Sequence, residues 1–148
     1  MLTHVVFSAG LLASFLSIDV GAPGSFALGI ALSLLVNYAI DELGHDSRNG
    51  MSVRSPLTHS VFTAPMWGAG TAYVLWLAGS ILGLVGPGLE WLVMVSGVIA
   101  AYSHLLLDSI TEGGVYVLTR RIAIAHFRSS NPALNAALVA GGLLLFAL

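Results

Sequence analysis

The chain has 148 residues, of which 57% are hydrophobic and 8% charged, with 17 glycines, no cysteine and a formal net charge of −2. A soluble domain carries about a quarter charged residues, so the composition excludes a free cytosolic globule and leaves an integral membrane protein. All the basic residues are arginines and they number 5, too few for the long cationic surface that phosphate neutralisation demands, which removes nucleic acid as a primary partner.

Without cysteine there is no disulfide framework, thiolate metal site or cysteine nucleophile. No polar, Pro/Ser-rich or charged linker divides the chain, so residues 1–148 read as one membrane domain. Five apolar segments approach or exceed the roughly 17–25 residues that cross a bilayer. They are Leu2–Ile18, Ser25–Leu43, His59–Val85, Leu89–Leu107 and Pro132–Leu148. The expected fold is therefore all-α, a bundle of about five transmembrane helices. No Lys or Arg precedes the first segment and no small-residue cleavage site follows it, so it reads as a retained helix rather than a signal peptide. Gly21-Ala22-Pro23-Gly24 and Gly86-Pro87-Gly88 are breaker clusters that predict two tight helical hairpins. Glycine, alanine and serine scattered through the segments suit close helix packing in lipid.

Orientation follows from charge. Arg48 and Arg54 lie between the second and third segments, and Arg120, Arg121 and Arg128 between the fourth and fifth. Both loops fall on one side, which the positive-inside rule makes cytoplasmic, with a cytoplasmic amino terminus in a multi-pass protein of the cell (plasma) membrane. Membrane lipids are the expected partners; homo-oligomerisation stays open.

The same topology collects the ionisable side chains. His4 opens the first segment, Asp41 and His45 close the second, His59 opens the third, and His104 and Asp108 close the fourth. All six fall near the cytoplasmic face, although the arginines that set the topology include none of them. Asp41/His45 and His104/Asp108 are i,i+4 pairs, neighbours on one helical face. Imidazole with carboxylate suits zinc first, and equally manganese or iron. Taken singly, each residue is an interfacial anchor or cap, as Thr58 is for the third helix. Taken together, they point to a shared polar site.

At these residues the chain resembles a known family. Thr3-His4, Asp41 to His45, Thr58-His59-Ser60, Ser103-His104-Leu105-Leu106-Leu107-Asp108 and Thr111-Glu112-Gly113-Gly114-Val115 are similar to the membrane-bound, predicted metal-dependent hydrolases of the YdjM type, described as LexA-regulated or LexA-binding, and to archaeal relatives of unknown function. That family runs Gly-His, Asp-x-Asp-His, His-Arg-Gly-x-Thr-His-Ser, Ser-His-x-x-x-Asp and Thr-Pro-x-Gly-Val. This chain departs with Asp41-Glu42-Leu43-Gly44-His45, with Arg54 in place of the first histidine and Pro56 for glycine, and with Thr111-Glu112 for Thr-Pro. The ligands that remain suffice for one metal.

Three functions compete. In a membrane metallohydrolase, three of the six residues hold the ion, Glu42 or Glu112 serves as general base, and Arg54, Arg120 or Arg121 holds an anionic group, with a lipid or lipid-linked phosphoester as substrate. A divalent-cation or proton-handling transporter uses the same ligands as an entrance site. A non-catalytic structural or partner-binding subunit uses the segment from Thr119 to Ser130, which also reads as a basic stretch attracted to anionic lipid.

Overall fold

Long apolar runs satisfy their backbone groups internally as helices, and these runs are interrupted only where glycine and proline cluster. The computed structural model describes residues 1–48 and 51–147. In chain order they form α1 (Leu2–Val20), α2 (Ala22–Leu43), β1 (His45–Arg48), β2 (Met51–Arg54), α3 (Ala64–Ile81), α4 (Glu90–Ser109), β3 (Val115–Val117), β4 (Arg120–Ile122) and α5 (Pro132–Leu145). The fold is all-α, with two short antiparallel hairpins, β1–β2 and β3–β4, set between helices.

Both predicted helical hairpins form. Gly21 alone separates α1 from α2, at φ 75, a left-handed conformation that favours glycine. The α3–α4 connection runs through Gly83 and Gly88, also at positive φ. Helices α1, α2 and α4 are each long and apolar enough to cross a membrane.

Two segments differ from the sequence expectation. The third helix starts at Ala64 rather than His59 and ends at Ile81, and it is not among the three helices long and apolar enough to cross a membrane. The backbone of His59 and Val61 is tied to Tyr116 in a parallel bridge (Tyr116 N to His59 O 2.8 Å, Val61 N to Tyr116 O 3.0 Å), which is incompatible with helical pairing. Pro65 then sits in the first turn of α3, where its missing N–H costs nothing. The fifth helix covers only Pro132–Leu145; Leu148, the expected end of that span, lies outside the described residues.

The core is a seam of Leu12, Leu16, Leu32, Val36, Ile40, Leu92, Val93, Ala100 and Leu105 from α1, α2 and α4. Glycines set two of the crossings. A Cβ on Gly68 would meet the backbone of Gly97 and one on Gly97 that of Gly68, joining α3 to α4, and Gly10 meets Gly142 to join α1 to α5. Such contacts bring helix backbones together where lipid offers no hydrophobic drive for association.

Candidate metal centre

Four chain segments deliver the polar residues to one end of the bundle. His4 comes from the first turn of α1, Asp41 from the last turn of α2, His59 from the bridge before α3, and His104 and Asp108 from the last two turns of α4. His59, His104 and Asp108 are fully buried; the Asp41 side chain is 25% exposed.

The Nε2 of His104 lies 3.3 Å from Asp108 Oδ2 and 3.5 Å from Asp41 Oδ1. His59 Nε2 lies 3.6 Å from Asp108 Oδ2 and 3.8 Å from Asp41 Oδ1. None of these contacts aligns as a hydrogen bond for the buried atoms concerned. Among the described residues, His59 Nε2, His104 Nε2 and Asp108 Oδ2 are all buried without a partner, as is His4 Nδ1. Leaving a buried polar atom unpaired costs about 1–3 kcal/mol, so three that converge on one space need a common partner. Ligands about 2.0–2.2 Å from a tetrahedral ion stand roughly 3.3–3.6 Å apart, close to the separations seen. The residues therefore fit a divalent cation. Two triads bring their ligand atoms within 4.8 Å of one another, Asp41/His59/His104 and His4/His104/Asp108.

The imidazoles are held from behind. Asn37 Oδ1 takes a hydrogen bond from His104 Nδ1 at 2.7 Å, and Thr58 Oγ1 lies 2.9 Å from His59 Nδ1. Thr58 thus holds a ring and does not cap a helix, because no helix begins beside it. Gly44 admits His59, since a Cβ there would strike Thr58 Oγ1 and the Ile40 carbonyl and stand 2.7 Å from His59 Cε1.

Asp108 divides its two oxygens. Oδ2 faces the imidazoles, while Oδ1 accepts from Arg54 Nη2 at 2.5 Å and lies 3.1 Å from His4 Nε2. Arg54 also reaches the Gly114 carbonyl at 3.2 Å, and Gly113 leaves the room its guanidinium occupies. Arg54, expected to bind a substrate anion, is instead committed to a carboxylate of the site. That pairing joins β2, α4 and the loop before β3, a set of contacts that no local spacing signals.

His45 also departs from expectation. Helix α2 stops at Leu43, so His45 lies on β1 and the Asp41/His45 pair is not on one helical face. Its Nδ1 donates to the Asp41 carbonyl at 2.6 Å, closing the helix end, and the residue belongs to neither triad. Its ring still stands 5.3 Å from that of His59.

A cavity of about 660 Å³ opens over the centre, lined by Thr3, His4, Asp41, Glu42, His45, Arg54, Asp108 and Asn135 among others. Thr3 bonds Asn135 at 3.1 Å and fastens α5 to its rim. A smaller cavity of about 230 Å³ adjoins it through His45, Arg54 and Ser129, and adds Glu112 and Arg121. Glu42 thus faces the cavity over the centre. Glu112 and Arg121 face only the side cavity. Arg120 is exposed on β4 and lines neither.

The profile of a family described as protein of unknown function (DUF1286) matches residues 1–107. The chain belongs to that family. The DUF1286 match takes in His4, Asp41, His59 and His104 and stops one residue short of Asp108. No curated protein and no solved structure matches this DUF1286 chain.

Proposed function

We propose that this DUF1286 protein is a membrane-embedded, metal-dependent hydrolase whose centre is held by His59, His104 and Asp108, with Asp41 at the open side. The observation that carries this reading is the convergence of three buried, partnerless ligand atoms on one space beneath an open polar cavity. Zinc suits the donor set first, with manganese and iron as alternatives. The resemblance to YdjM-type hydrolases adds the reaction class.

A divalent ion bound there supplies Lewis-acid polarisation and a water of lowered pKa. The remaining chemistry belongs to the chain. Two carboxylates and one guanidinium leave the protein groups of the centre with a single negative charge, so a divalent cation makes it net positive and attractive to an anionic substrate. Asp41 and Glu42, on the cavity side, are placed to take a proton from water. Arg121, in the adjoining cavity, is placed to hold an anionic group.

The hairpins that carry Arg54, Arg120 and Arg121 sit at this end of the bundle. The positive-inside rule then puts the centre at the cytoplasmic side of the cell membrane, with the amino terminus inside. At that depth the matching substrate is a lipid or lipid-linked phosphoester.

The test is metal analysis of detergent-purified protein by mass spectrometry, followed by phosphate release from phosphatidic acid in mixed micelles. About one transition-metal ion per chain and metal-dependent release are expected. Chain purified without chelator that carries no ion and takes none up on titration would overturn the reading.

A further inference from the structure

One polar residue has no place in the centre itself and is nevertheless the best-connected side chain beside it. Asn37 lies one helical turn before Asp41 on α2, fully buried in the seam between α1, α2 and α4. An asparagine buried at mid-helix in an apolar bundle carries a large desolvation cost unless its hydrogen bonds are met.

They are met, and the direction of each bond can be worked out. Ser103 Oγ donates to the Ala100 carbonyl at 2.8 Å, so its 2.6 Å contact with Ser8 Oγ is donated by Ser8. Ser33 Oγ donates to the Val5 carbonyl at 2.7 Å. Both Ser8 and Ser33 have thus spent their only proton and face Asn37 as acceptors. The Asn37 amide nitrogen answers them, donating to the Ser33 carbonyl at 2.7 Å, with Ser33 Oγ at 3.3 Å and Ser8 Oγ at 3.4 Å. A flipped amide would set its oxygen against a carbonyl and two acceptor hydroxyls. The amide oxygen must therefore face His104, and the proton of that 2.7 Å bond must sit on Nδ1. A neutral imidazole has only one such proton, which leaves Nε2 with its lone pair aimed at Asp108 and Asp41.

We propose that Asn37 is the positioning residue of the metal centre: backed by Ser8, Ser33 and Ser103, it fixes the ring orientation and tautomer of His104 so that Nε2 is available to a cation before any cation arrives. The inference rests on the metal reading above and extends it to three helices. Groups that orient a ligating histidine in this way are worth about 10–100-fold in metal affinity.

The experiment titrates full-length, detergent-solubilised protein, stripped with chelator, with Co²⁺, reading the visible absorption of the bound ion and the dissociation constant by competition. Thermal melting of the stripped protein is followed in parallel. Asn37→Leu, close in size but without an acceptor, should weaken Co²⁺ by about 10–100-fold and alter the absorption band. Asn37→Asp, whose buried carboxyl in its neutral form keeps an acceptor for Nδ1 and an O–H donor for the Ser33 carbonyl, should bind within several-fold of wild type and restore the band. Wild-type affinity and spectrum in Asn37→Leu would overturn the proposal, even if melting falls, because that is the mark of a purely structural role. If Asn37→Leu does not fold, Asn37→Asp alone decides: loss of Co²⁺ binding in that variant refutes the proposal. Wild-type protein that binds no Co²⁺ at all refutes the metal reading instead.

Discussion

The ends of α2 and α4 carry the same two residue types at the same spacing, and only one of them brings its imidazole and carboxylate together. Helix α4 continues to Ser109, beyond Asp108, so His104 and Asp108 share a face and their Nε2 and Oδ2 atoms stand 3.3 Å apart. Helix α2 stops at Leu43, and the next residue, Gly44, lies against Thr58 and the ring of His59. His45 lies on β1 instead and spends its Nδ1 on a backbone carbonyl. An i,i+4 spacing thus puts two side chains on one face only while the helix persists through both residues.

The largest effect that separates the two ends is expected from the imidazoles. His104→Ala and His59→Ala should each abolish stoichiometric metal on mass-spectrometric analysis, whereas His45→Ala should retain it, with affinity within a few-fold of wild type. Equal losses in His45→Ala and His104→Ala would erase the distinction.

A smaller effect is expected from Gly44→Ala. The added methyl meets the Ile40 carbonyl and Thr58, and such overpacking costs about 1–3 kcal/mol. A lower melting temperature in detergent should accompany weaker Co²⁺ binding, because the displaced segment carries His59. Unchanged affinity would show that the closure of α2 and the seating of His59 are independent.

Arg54→Met sharpens the α4 side of the comparison. Removing the guanidinium leaves Asp108 Oδ1 with only His4 among the described residues, and losing this charged hydrogen bond should cost the metal-free protein about 1.5–3 kcal/mol. A bound cation takes over part of the neutralisation, so the melting temperature of Arg54→Met should rise more on metal addition than that of wild type. The smallest effect is expected from His126→Ala, since His126 is exposed and belongs to neither triad; metal content and melting should both match wild type.

The helices were legible because apolar runs and glycine–proline breaks are local signals. The start of α3 was not, since it is set by pairing with Tyr116, far along the chain, and the apolar run from Val61 onward gives no hint of that partner. His4, Asp41, His59, His104 and Asp108 were legible as ionisable residues gathered at one end of five apolar segments. Arg54 was visible as a cation but not as the mate of Asp108, because the bond depends on the fold of the Gly113-Gly114 loop. Asn37 reads in the sequence as one polar residue inside an apolar segment; its position one turn before Asp41 is the available signal.

The serine and asparagine ladder has a consequence for assembly order. During synthesis α1 and α2 enter the membrane first, and within that pair Asn37 already finds Ser33 and Ser8, while Ser33 finds the Val5 carbonyl. The amide oxygen waits for a histidine 67 residues downstream, and the Ser8 hydroxyl waits for Ser103. A chain interrupted before α4 therefore presents a helical pair with one open acceptor and one open donor on its inner face. Arrival of α4 closes both vacancies and brings Asp108 with it, so the last of the three long helices locks the first two and sets most of the centre's ligands in place, leaving the pairing of His59 with Tyr116 to follow.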